Sequence, residues 1–124
     1  MESGKPALVL FAHGARNAGW ADPFRRLAVE LGEKLPGERI VLAFLELMQP
    51  SLPDCAAALH ADGVRELRVV PVFLGAGGHL KTDLPRIVEE LRSRYPDLAI
   101  AVDPPIGEQL EVIAAIASAI AIAR

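Results

Sequence analysis

Four short apolar runs, each followed by a stretch with helical spacing, constrain this chain more than any other feature. Residues 7–12 (ALVLFA), 39–45 (RIVLAFL), 67–74 (LRVVPVFL) and 98–102 (LAIAV) are rich in Val, Ile, Leu and Phe. Continuous runs of this kind suit strands covered on both faces, as in a parallel sheet. Between the first two, Phe24, Leu27, Ala28, Leu31 and Leu35 recur at three and four, with Arg25, Arg26, Glu30, Glu33 and Lys34 opposite. A second helix is expected over 52–62, stopping at Gly63. A third opens near Thr82 and Asp83 with Pro85 in its first turn, and a fourth begins near Glu108.

The order βαβαβαβα predicts a three-layer α/β/α domain around a four-stranded parallel sheet. The flavodoxin-like order 2-1-3-4 is the expected one, with ligands bound at the carboxyl ends of strands 1 and 3. The 124 residues are expected to make one domain, 1–124, since 52% of them are hydrophobic and only 23% charged. Thirteen Lys+Arg against sixteen Asp+Glu give a net charge of −3, which disfavours nucleic acid as a partner. The longest uncharged stretch, 112–123, is shorter than the roughly 18 residues of a membrane span. A soluble protein with no membrane partner is therefore expected. The lone Cys55 cannot form an internal disulfide, which favours a reducing, cytoplasmic setting.

Two of the three histidines fall on the loops that flank the expected crevice. The turn after the first strand reads His13-Gly14-Ala15-Arg16, and residues 75–83 after the third read GAGGHLKTD, placing His79 there. Neutral imidazole binds Fe, Co, Ni or Zn and accepts protons near neutral pH. Glu46 closes the second strand between apolar neighbours, where an acid needs a partner; it could take a proton, support a histidine or join a metal site. Arg16, Lys81 and Arg86 would surround the crevice with positive charge suited to an anionic ligand, and Gly77 and Gly78 allow close backbone approach. No GxxxxGK[ST] occurs, so a nucleotide is not expected. His60 reads as structural and Cys55 as core, while Trp20 either packs over the first helix or walls the crevice.

The last helix is apolar nearly all round, with Leu110, Val112, Ile113, Ile116, Ile120 and Ile122. One face is expected to cover the sheet and the other to meet a second copy in a homodimer.

Three segments, LVLFAHGAR, FLELMQPSLPD and VVPVFLGAGGHLKTDLP, make the chain similar to the class II tetrapyrrole chelatases, specifically the short-form sirohydrochlorin cobaltochelatases. The resemblance covers essentially the whole chain and implies a chelatase-like half domain acting as a homodimer. It implies ATP-independent insertion of Co²⁺ into sirohydrochlorin in cobalamin biosynthesis, with the metal-site histidines at His13 and His79 and the strand-2 acid at Glu46. The alternatives are Fe²⁺ or Ni²⁺ as the inserted metal, or a carrier that binds metal and tetrapyrrole without turnover. No histidine-rich tract of the kind some short forms carry is present. Other chemistries fail on residues: Ala12 stands where a histidine phosphatase needs Arg, no GxSxG elbow occurs, and the first loop lacks a receiver's acids.

Overall fold

The computed structural model describes residues 4–75 and 77–122, with only the backbone at His79. Its elements run β1 (Ala7–Ala12), α1 (Asp22–Lys34), β2 (Arg39–Phe44), α2 (Leu52–Ala61), β3 (Glu66–Pro71), α3 (Gly78–Arg94), β4 (Ala99–Val102) and α4 (Leu110–Ile122). Short 3-10 turns precede α1 and α4, at Ala18–Ala21 and Ile106–Glu108. The sheet is parallel in the order β2-β1-β3-β4, as the alternation of the sequence predicts.

Strand β1 sits in the middle, and all six of its residues are buried. Its alternate side chains feed two cores. Val9 and Phe11 join Val69, Leu52, Leu59, Leu84, Val88 and Leu91 beneath α2 and α3. Leu8 and Leu10 join Val70 and meet Leu27, Ala28, Leu31 and Leu35 of α1 on the other face. Local signals fix the helix starts. Pro23 opens α1, and the Ser51 side chain caps α2 by accepting the Asp54 amide at 3.2 Å. Trp20 lies on Phe24 with ring centroids 4.8 Å apart, so it packs over the start of α1.

Two expectations are corrected. Helix α3 begins at Gly78, well before Thr82 and Asp83, so Pro85 lies in its interior. The cause is Leu80: it is buried one turn before Leu84, and the series Leu80, Leu84, Val88, Leu91 makes one continuous stripe against the sheet. Burying that leucine outweighs the backbone hydrogen bond that Pro85 cannot donate.

The second correction concerns α4, which does not cover its own sheet: none of its residues is buried. Its main contacts run to the 3-10 turn just before it. That turn is pinned elsewhere, because the Gly107 amide donates to the Phe73 carbonyl at 2.9 Å. Gly107 is so close beneath Leu74 that a Cβ would collide with the Leu74 backbone. The connection is therefore tied to the end of β3, and α4 leaves from there.

Candidate active site at the carboxyl edge of the sheet

The parallel register aligns Ala12 with Phe44 and Phe11 with Pro71, so the loops after β1, β2 and β3 emerge side by side. Pairing continues past the strand ends: the Leu45 amide donates to Ala12 O at 2.9 Å and the Glu46 amide to His13 O at 3.1 Å. The two loops then touch at Gly14, which has φ +97°. A Cβ there would run into the Glu46 carbonyl, so only glycine lets the loops approach.

This approach sets His13 beside Glu46, with Nε2 and Oε2 3.0 Å apart and the side chains 50% and 55% exposed. When Nε2–H donates to the carboxylate, the neutral imidazole keeps its lone pair on Nδ1. That nitrogen can then take a proton or a metal ion. Phe73 stands edge-on to the His13 ring at 6.3 Å and packs on Phe11 at 6.2 Å, bracing the imidazole from the β3 side.

Two apolar side chains are left exposed on the loops after β2 and β3. A three-residue turn, closed by the Met48 amide on Glu46 O at 2.8 Å, holds Leu47 at φ +67°. It leaves Leu47 59% exposed, and Leu74 on the facing loop is 67% exposed. Sequence reasoning passes over Phe73, Leu47 and Leu74 because they read as continuations of apolar strands. For Phe73 and Leu74 the sequence held no such signal, since the expected strand 67–74 includes them and the observed one ends at Pro71; Leu47 alone lay beyond its expected strand.

The other expected site residues are placed as follows. Glu46 lies two residues beyond β2, which ends at Phe44. His79 occupies the first turn of α3 rather than a loop, and its side chain lies outside the described residues. Gly77 is the cap residue and Gly78 the first residue of that helix, and a Cβ at either would meet nothing within 4 Å. Arg16 and Lys81 are exposed on the loop after β1 and the first turn of α3. Arg86 instead pairs with Glu90 at 3.3 Å and Asp83 at 3.7 Å on its own helix. Among the described residues no three His, Cys, Asp or Glu side chains gather to hold a metal.

His60 belongs to the opposite edge of the sheet, as a structural group. It bonds Asp97 at 2.8 Å and stacks on Tyr95 at 4.6 Å, and its hydrogen bond holds the Asp97 carboxyl below the ordinary range. Cys55 is buried, and that burial pushes its thiol up to about 11.

The family model for CbiX matches residues 7–123. The chain belongs to the CbiX family. Among its relatives, the sirohydrochlorin cobaltochelatase of Methanococcus aeolicus is 32% identical over 66% of this chain and 57% of its own length. That of Sulfurisphaera tokodaii is 31% identical over 81% of this chain and 78% of its own length. The chain thus spans little more than half of the first relative and over three quarters of the second. The crystal structure of the CbiX protein from Marinobacter aquaeolei VT8 superposes with a TM-score of 0.80 at 32% identity, covering 92% of both chains. SirB from Bacillus subtilis subspecies spizizenii, crystallised in complex with cobalt, gives 0.74 at 29% identity; this CbiX chain covers 49% of it. No helix among the described residues is long and apolar enough to cross a membrane.

Proposed function

We propose that this chain is a sirohydrochlorin cobaltochelatase, a lyase that inserts Co²⁺ into sirohydrochlorin without ATP in cobalamin biosynthesis. The observation that carries the reading is the His13–Glu46 pair on the carboxyl edge of a CbiX-family sheet. Metallation must remove two pyrrole N–H protons and strip water from the incoming ion. His13 accepts a proton or holds the ion through Nδ1, while Glu46 fixes the ring and balances the charge that develops on it. His79, in the first turn of α3, is the proposed second histidine of the site.

A flat macrocycle needs an apolar support, and exposed Leu47 and Leu74, on the loops after β2 and β3, supply one. Its carboxylates are taken by Arg16 and Lys81, with the Cβ-free backbone of Gly77 and Gly78 allowing close approach. Arg86 contributes only if it gives up Asp83 and Glu90. Co²⁺ is preferred to Fe²⁺ and Ni²⁺ because the Methanococcus and Sulfurisphaera relatives are cobaltochelatases. Imidazole suits all three metals, and Mg²⁺ is disfavoured because it prefers oxygen ligands. The half-exposed pair and the 49% coverage of SirB support a homodimer as the working unit. A lone buried cysteine supports the cytoplasm as its compartment.

The test is anaerobic absorbance of sirohydrochlorin with a molar excess of pigment and metal over protein. The reading expects many turnovers per chain with Co²⁺, faster than with Fe²⁺ or Ni²⁺. A colour shift that stops at one pigment per site would make the protein a carrier. A faster Fe²⁺ or Ni²⁺ rate would reassign the metal.

A further inference from the structure

The His13–Glu46 pair is poorly equipped to hold itself in place. The hydrogen bond between them joins two rotatable side chains, both half exposed to water. Pairs of that kind contribute little and fix little. A group that takes a proton or holds a metal must be kept within about 0.5 Å of its productive position. A third group has to set the ring.

Phe73 meets that need. Side chains two apart on a strand point to the same side, so His13 continues the side of β1 on which Phe11 lies. The Phe73 ring rests against both, 6.2 Å from Phe11 and 6.3 Å from His13, the second contact edge-to-face at 64°. Phe11 is completely buried and offers a fixed backstop. An aromatic contact has preferred angles, so it restrains the plane of the imidazole as well as its position.

Phe73 lies two residues beyond the end of β3 and is itself fastened from a distant part of the chain. Its carbonyl accepts the Gly107 amide at 2.9 Å. Gly107 is buried against the Leu74 backbone, where a side chain would collide. Ile106 beside it packs, with Val72, on the core of Leu8, Leu10 and Val70. The 3-10 turn before α4 therefore grips the segment that carries Phe73.

We propose that Phe73 is a positioning residue for His13, set in turn by the seat of Gly107. The turn before α4 thus governs the orientation of an imidazole near the other end of the chain. The proposal rests on His13 acting in metal insertion. Phe73 acts through that ring and contacts neither metal nor pigment.

A double-mutant cycle separates this role from a merely structural one. The kcat and the KM for sirohydrochlorin are measured anaerobically at saturating Co²⁺ for Phe73→Leu, alone and combined with His13→Ala. Alone, Phe73→Leu should lower kcat by roughly 10-fold or more, with KM moving by less than about 3-fold. Combined with His13→Ala it should cost nothing further, because the ring it sets is gone. Phe73→Tyr keeps the aromatic edge and should recover kcat to within about 3-fold of wild type. Equal losses in both backgrounds, a loss confined to KM, or a leucine variant as fast as wild type would overturn the proposal.

Proton NMR reads the positioning without metal or pigment. Wild type should show nuclear Overhauser contacts from the His13 imidazole to the Phe73 ring and to the Glu46 side chain. Ile106→Ala loosens the seat from the opposite face of the sheet, and should weaken both contacts and lower kcat. Contacts as strong in Ile106→Ala as in wild type would sever the link to the turn and overturn that part of the proposal. The expected contacts in a wild type that never turns over would end the chelatase reading and leave the positioning of His13 standing.

Discussion

At the residue scale, the site depends on one glycine and one hydrogen-bonded pair. Gly14→Ala would place a methyl group against the Glu46 carbonyl at a φ that alanine resists. It should lower stability by about 2 kcal/mol or more, read as a fall in the urea midpoint. Gly77→Ala, where φ is −74° and the space is open, should change stability by less than about 0.5 kcal/mol. Glu46→Gln keeps the shape but loses the charge facing His13, and should reduce kcat by roughly 10- to 100-fold with a smaller change in KM. Cys55 gives a pH dependence of known sign. Its thiol rises from 9.0 to about 11 on folding, so the unfolded chain ionises first. Stability should fall as pH climbs from about 9 toward 11, by on the order of 2 kcal/mol, and Cys55→Ala should remove that slope. His13 and Glu46 were legible in the sequence because a polar group ending an apolar strand needs a reason. Their pairing was not, since it rests on the backbone contact at Gly14 across two loops.

At the element scale, the strands were legible because each apolar run is continuous in sequence and each helix alternates at three and four. Only β1 is buried on both faces, however, and β3 and β4 leave Arg68, Ala99 and Ala101 exposed. The start of α3 was misplaced because Pro85 and the Thr-Asp pair imitate a helix opening, whereas buried Leu80 decides the matter one turn earlier. An interior proline leaves the Lys81 carbonyl without its helical donor. Pro85→Ala should therefore stabilise the chain by about 1–3 kcal/mol, measured by urea or thermal unfolding. The seat of the last connection was equally hidden. Nothing local marks Gly107 as different from other loop glycines, yet a side chain there would displace Leu74.

At the scale of the whole molecule, the sheet order was legible from the order of elements, because right-handed crossovers leave few ways to wind them. The position of α4 was not. A helix apolar all round announces burial without naming what buries it, and its own sheet is the default covering for a single chain. If a second copy covers it, the urea midpoint should rise with protein concentration, as it does for a chain stabilised by association.

The central claim is that metal insertion occurs at the carboxyl edge, where His13 meets Glu46. Its most direct test is the initial rate of anaerobic Co²⁺ insertion into sirohydrochlorin by His13→Ala and His60→Ala beside wild type. Both remove an imidazole bonded to a carboxylate, at opposite edges of one sheet. The account predicts a fall of about 100-fold or more for His13→Ala, the range expected for a lost proton acceptor, and a nearly unchanged rate for His60→Ala. A His13→Ala chain as fast as wild type, or a loss confined to His60→Ala, would contradict it.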